Sequence, residues 1–189
     1  TKLLTLAHEE GRHHNPDILD SLISNEEGSL ILNGKKNFVI DASISDYIIV
    51  TAKDESGLNT LITVVDSKSK GIEYNDKVHM DSRTYSDLKF NNVKIDKNNL
   101  LSFEGDGKSI LDKTFDIARV GLAAEMLGSV QEAFEITMKY LKEREQFGVK
   151  IGSFQALQHR SALMFGEIEL CKSIVLKALQ SIDSNDPNL

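Results

Sequence analysis

YLKEREQFGVKIGSFQALQ, residues Tyr140–Gln158, lies between two long apolar segments where a short, plain connection would suffice. It carries instead Arg144, the amides Gln146, Gln155 and Gln158, the aromatics Phe147 and Phe154, and the glycines Gly148 and Gly152. Glycines at those places break a helix and let backbone amides approach a ligand closely. Arg144 is a planar cation whose fork of donors suits phosphate. A helix starting at Ser153 or Phe154, beside that cation, reads as an anion site.

On both sides of this stretch the apolar residues recur with a period near four, which predicts helices over Ile110–Glu143 and Ser153–Ser181. Along the second, Phe154, Leu157, Ser161, Met164, Ile168, Cys171, Val175, Ala178 and Ile182 form one stripe. Two helices cannot cover faces this wide, so further chain or a second subunit is expected to cover them. Before Ser109 the period is two. An Asn33-Gly34 turn predicts a hairpin of Ser29–Leu32 with Lys35–Ile40. Tyr47–Lys53 and Leu58–Val65 predict a second pair, and Asp87–Ile95, with Asn91-Asn92 inside it, predicts a further strand or pair. Such spacing reads as an antiparallel barrel or sandwich. The expected class is therefore α+β: a β-domain over residues 1–107, a hinge at Gly105-Asp106-Gly107, and two long antiparallel helices of an incomplete bundle over 108–189. Ser184–Asn188 reads as a polar helix terminator.

The 189 residues are 40% hydrophobic and 27% charged, ordinary for a globular protein with its own core. A net charge of −7 argues against a nucleic-acid partner, which needs a basic face. No apolar run nears the roughly 18 residues of a membrane span, and no targeting segment opens the chain. The single cysteine, Cys171, cannot form an internal disulfide; it reads as a core filler in a reducing, intracellular compartment. His8, His13 and His14 with Glu9 and Glu10 match no closed zinc spacing and read as a solvated polar loop, so no metal is expected. Within the apolar run Ile117–Val130 only Arg119 and Glu125 are charged. They stand about 240° apart round a helix and cannot pair, so each must seek a partner elsewhere. Arg119 is thereby a candidate for an anionic ligand.

The Tyr140–Gln158 stretch resembles the helix-loop-helix signature of the acyl-CoA dehydrogenase family, Y-x-x-x-R-x-Q-F-G-x-x-I-G-x-F-Q-x-x-Q. Phe115, Asp116 and Arg119 resemble the family's F-D-x-x-R, LILNGKKNFVID its hairpin leading to the flavin, and DLKFNNVKIDKNNLL the strands closing its middle domain. The resemblance implies FAD bound by Arg144, Gln146 and Phe147, by Phe154 and Gln155, and by Phe38 stacked on the flavin ring. It implies an acyl-CoA held through Phe115, Asp116 and Arg119. It further implies a homo-oligomer, dimer or tetramer, sharing the FAD site, with an electron-transfer flavoprotein as acceptor. The compartment would be the cytoplasm, or the mitochondrial matrix in a eukaryote. The activity implied is α,β-dehydrogenation of the thioester. The alternatives are an oxygenase or oxidase of the same fold, or a non-catalytic FAD- or CoA-binding module. The catalytic base is expected beyond Leu189, read as a truncation point, because Ala118 occupies the alternative base position; this stretch alone is expected to be inactive. The family's T-E-P-x-x-G-S-D loop is replaced by Leu4–Glu10, and its Trp-Ile-Thr run by Phe38-Val39-Ile40, which marks a divergent member.

Overall fold

The computed structural model describes residues 1–26, 28–102 and 107–184. Gly105 and Asp106 of the expected hinge, and the terminator from Asn185 onward, lie outside the described residues; Gly107 is the first residue of a helix. The chain divides into two compact units, Thr1–Leu111 and Asp112–Leu189.

The first unit is built on β1 (Leu4–Ala7), β2 (Leu22–Glu26), β3 (Ser29–Ile40), β4 (Tyr47–Lys53), β5 (Thr60–Asp66), β6 (Ile72–Val78) and β7 (Thr84–Ile95). They form one sheet of order β1-β4-β2-β3-β7-β6, with β5 on β4. Most pairings are antiparallel, but β1 and β2 both meet β4 in parallel. The sheet is thus mixed, where the turn spacing alone pointed to an antiparallel one. Alternate residues of the strands, Leu32, Ile48, Val50, Leu88, Phe90 and Val93 among them, fill the core.

The β4–β5 pair forms as expected. Its connection is organised by the Asp54 carboxylate, which accepts from Ser56 Oγ (2.7 Å) and from Asn59 Nδ2 (2.7 Å) and N (3.2 Å). The Asn33-Gly34 hairpin does not form. β3 runs unbroken through that pair, and its hairpin partner is β2, with Glu26 opposite Ser29. Asn33 instead accepts a hydrogen bond from Asn92 N at 2.8 Å, opposite a bulge in β7 where Asn92 takes φ 51°. Gly34 is required by crowding: a Cβ there would lie 2.2 Å from Ser21 Oγ. Asp87–Ile95 likewise belongs to one bulged strand. Its neighbour β6 was not singled out by pattern, because an edge strand reading IEYNDKV has little apolar alternation.

The second unit contains most of α1 (Gly107–Glu143), a two-stranded ribbon of β8 (Glu145–Gln146) with β9 (Val149–Lys150), and α2 (Gln155–Asp183). The helix extents agree with the periodicity to within a few residues. Gly152 lets the connection press on α1, since a Cβ there would meet the Leu141 carbonyl oxygen at 2.8 Å. Ile168 is buried and Leu157, Val175 and Ala178 are half-buried along the stripe of α2. Cys171, expected as a core filler, is exposed at the rim of the groove between the helices. Leu163, Leu170 and Ile174, on the other side of α2, are exposed. Among the described residues no helix is long and apolar enough to cross a membrane.

Candidate functional site

Chemistry-bearing residues gather at three places, each described by itself. The first is the connection from α1 to α2. A tight two-residue turn, Phe147-Gly148, joins β8 to β9, and both residues have positive φ (56° and 78°) as a type I′ turn demands. Glycine at the second position is ordinary. Phenylalanine at the first is not, because a Cβ in the left-handed region crowds the following carbonyl, at about 1–2 kcal/mol. The strained residue is 91% exposed, its ring edge-on to Phe154 at 6.2 Å between centroids. Gly148 meets nothing with its missing Cβ, and Gly152 packs on helix backbone. The glycines thus shape the connection: Gly148 supplies the second positive φ of the turn, and Gly152 allows close packing on α1.

Arg144 directly follows α1, its N–H donating to Tyr140 O and its carbonyl accepting from Ile151 N. Among the described residues its guanidinium makes no hydrogen bond or ion pair, whereas its neighbour Lys150 is held by Glu145 at 2.6 Å. Gln146 Nε2 donates to Glu145 O, and Gln155 is the first residue of α2. No side chain caps that helix, so its first backbone amides and its positive dipole end are left for an anion.

The second place is the start of the unit-2 part of α1. The Arg119 guanidinium donates to Asp116 Oδ1 at 2.7 Å and lies 5.8 Å from the Phe115 ring centroid. The three residues expected to act together do meet. The burial that singled out Arg119 does not hold: its side chain is 58% exposed, Glu125 is also exposed, and the partner stands three residues away on the same face.

The third place is the bulge in β3. Between Lys36 and Val39 the strand gains one residue on β7, Phe38 takes φ 54°, and its ring is half exposed. Behind it is a cluster that the sequence did not reveal. Lys36 Nζ, fully buried, donates to His8 O (3.0 Å), Glu10 Oε1 (2.5 Å) and Thr51 Oγ1 (3.3 Å). Glu10 also accepts from Asp20 N and Ser21 N. Burial pushes the Glu10 carboxyl up, but the Lys36 charge and these hydrogen bonds outweigh it and hold it below its usual value. Burial lowers the Lys36 ammonium further than Glu10 restores it. Burial, then the Lys36 charge, lower His8, whose ring lies between Thr51 Oγ1 and Pro16 O. His8 and Glu10 therefore do not belong to a solvated loop; His13 and His14 do. Among the described residues no group of three or more His, Cys, Asp or Glu is placed to hold a metal. The one hint in the sequence was Lys36 on the apolar face of a strand, where a charge requires a partner.

Two domain families match along the chain, acyl-CoA dehydrogenase middle domain over residues 7–93 and acyl-CoA dehydrogenase C-terminal domain over residues 105–188. A 3-(aryl)acrylate reductase of Clostridium sporogenes is 38% identical over 170 residues, covering 85% of this chain and 45% of that protein. The structure of butyryl-CoA dehydrogenase from Megasphaera elsdenii superposes with a TM-score of 0.87 at 28% identity, over 98% of this chain and 51% of that one. The FAD complex of PigA does so with a TM-score of 0.89 at 26% identity, over 97% and 50%. The chain thus spans about half the length of the proteins it matches. With two consecutive domain families on one chain, in the order β-sheet then helices, the chain belongs to the acyl-CoA dehydrogenase family.

Proposed function

We propose that the chain is part of an FAD-binding oxidoreductase that acts across the Cα–Cβ bond of an acyl-CoA thioester. Residues 1–107 are then the middle domain and 108–189 the opening of the C-terminal helical domain. The observation that carries this reading is the turn after α1. There Arg144, whose guanidinium makes no hydrogen bond or ion pair among the described residues, and a strained, exposed aromatic lie in the short connection that leads to an uncapped helix start. Strain of that kind persists where function requires it.

The residues fit FAD in kind. Arg144 and the first amides of α2 are donors for a pyrophosphate, Gln146 and Gln155 add amides, and Phe147 and Phe154 offer ring faces and edges to a base. Phe38 offers a flat apolar face to a flavin ring. FAD, when bound, supplies the two-electron centre that takes or gives a hydride. Asp116 holds Arg119 while leaving guanidinium donors for an anionic group of CoA. Ala118 takes no proton, so the base belongs to another part of the complete protein. The complete protein is then a homo-oligomer, dimer or tetramer, sharing its FAD sites and exchanging electrons with an electron-transfer flavoprotein.

The direction of the reaction has a second reading. The relative from Clostridium sporogenes is named for reducing aryl acrylates, so this chain's protein could work towards the saturated product. Anaerobic spectroscopy on the full-length protein separates the two. Bleaching of the flavin band by saturated acyl-CoAs supports dehydrogenation, whereas reoxidation of the reduced protein by arylacrylyl thioesters or free acrylates supports reduction. A flavin that responds to neither sinks both. Arg144→Ala should weaken FAD binding by about 1.5–3 kcal/mol, the range for a charge-assisted bond. An unchanged FAD Kd in the intact oligomer would remove Arg144 from the site.

A further inference from the structure

We propose that Lys36, clamped by Glu10, is a positioning residue: it fixes the bulge in β3 and thereby turns the Phe38 ring to the outer face of the sheet. The functional consequence rests on the reading of Phe38 as the flavin-facing aromatic; the positional claim does not.

Successive residues of a strand face opposite sides of its sheet. Leu32 and Lys36 are buried, so with a period of two Phe38 would follow them inward and Val39 would face out. The reverse is observed. Val39 is buried and Phe38 is half exposed, because β3 advances three residues from Lys36 to Val39 while β7 advances two, from Leu88 to Ser86. The extra residue reverses the alternation, and it leaves Phe38 in the left-handed region. Local preference opposes this outcome twice over, by straining a bulky residue and by exposing an aromatic in place of a valine. Something beyond the strand must hold the bulge.

Lys36 does so in two ways. Its ammonium spends its three donors on His8 O, Glu10 Oε1 and Thr51 Oγ1, so the side chain has one seat. Glu10 is itself fixed by the amides of Asp20 and Ser21. A slip of one residue at Lys36 would leave a carboxylate buried without its cation, the costliest rearrangement open to this strand. The clamp also delivers substitutes for the ladder bonds that the bulge gives up. Asn37 N donates to Glu9 O and Asn37 Nδ2 to Glu10 O, both at 2.6 Å. Lys36 before the bulge and Val39 after it are thus both pinned inward, and Phe38 between them has only the outer face.

The test uses the full-length protein, with and without FAD, carrying a trifluoromethyl-phenylalanine in place of Phe38 and read by 19F NMR with a soluble paramagnetic agent. In the FAD-free parent the resonance broadens strongly, as an exposed ring must. In Lys36→Met it should shift or split, with a component protected from the agent, while the same probe in place of Phe165 is unmoved. If Lys36→Met does not fold, Lys36→Met with Glu10→Gln removes both charges and leaves no buried ion behind. An unmoved, equally broadened resonance in either folded variant overturns the proposal. FAD titration of the same variants should show binding weakened about three- to tenfold, the span of one aromatic contact. A ring that withdraws while FAD affinity stays constant upholds the role of Lys36 and refutes the flavin-facing reading of Phe38.

Discussion

Phe147 and Phe38 share a peculiarity: each is a phenylalanine in a left-handed conformation that leaves its ring in water. In a tight type I′ turn Asn-Gly is the favoured pair, because asparagine tolerates positive φ where phenylalanine is crowded. Phe147→Asn should therefore raise stability by about 1 kcal/mol while weakening FAD binding, a separation of the kind seen where a site keeps strain for function. Denaturant midpoints and FAD titration on one sample check both halves; a variant neither more stable nor poorer in flavin would show that the ring serves no purpose there. Asp54 offers a residue-scale test unrelated to flavin. Hydrogen bonds from Ser56, then Asn59, depress its carboxyl from 3.8 to about 2. A depressed carboxyl contributes stability that is present above its unfolded value and is lost as pH falls through its folded value. The β4–β5 connection should thus keep its order down to pH 3 and loosen towards pH 2. The Asp54 carboxyl carbon should titrate by NMR near 2, and an ordinary midpoint near 3.8 would dissolve the hub. Local chemistry of this kind was legible in advance only where all its parts lie close in sequence. Arg144, Gln146 and Phe147 could be named together because they are neighbours. Lys36 and Glu10 could not, being 26 residues apart and joined only by the folded sheet.

At the level of strands and helices, the pattern of apolar residues located the elements better than the turn residues located their joints. The change of period near Ser109 separated sheet from helices, and both helices appeared nearly at their predicted lengths. Asn33-Gly34 was misassigned because the same pair that favours a hairpin turn also suits a bulged register with close backbone approach. At Gly34 the decisive fact is Ser21, whose Oγ, Cβ and Cα lie 2.2, 2.5 and 2.7 Å from where a Cβ would stand. That crowding is tertiary, so no local propensity announces it. Gly34→Ala should accordingly cost about 1–3 kcal/mol, as overpacking does when backbone must move. Ser21→Gly in the same chain should recover only part, since the crowding by the Ser21 backbone survives it. Urea unfolding of the two variants measures this; a Gly34→Ala chain as stable as the parent would return the pair to the role of a flexible turn. Arg119 teaches the converse. Its apolar neighbours suggested a buried charge, but burial belongs to the packing of whole helices, and here Asp116 reaches it in the open.

For the whole chain the governing imbalance is between its two units. The sheet closes over a core of its own, whereas the helical hairpin leaves Ile117, Leu122, Ile136, Leu163, Leu170 and Ile174 exposed. That much apolar surface costs free energy in water at about 25 cal/mol per Å² left uncovered, and a monomer seldom carries it. The breadth of the α2 stripe led to the expectation of a cover, yet the exposed Leu163, Leu170 and Ile174 lie on the other side of that helix from the stripe. The 189-residue chain in isolation should therefore self-associate through its helical unit. A net charge of −7 opposes association over a distance that shrinks to about 10 Å at 0.1 M salt, so adding salt should strengthen it. Leu170 and Ile174 lie one turn apart on one face of α2, and Leu170→Glu with Ile174→Glu places two more negative charges there. Sedimentation across a concentration series should show the parent moving from monomer to larger species and the double variant remaining monomeric. The sheet should keep its unfolding midpoint in both, because its core lies wholly within the first unit. A parent chain that stays monomeric at high concentration and high salt would mean that the two helices cover these residues themselves in solution.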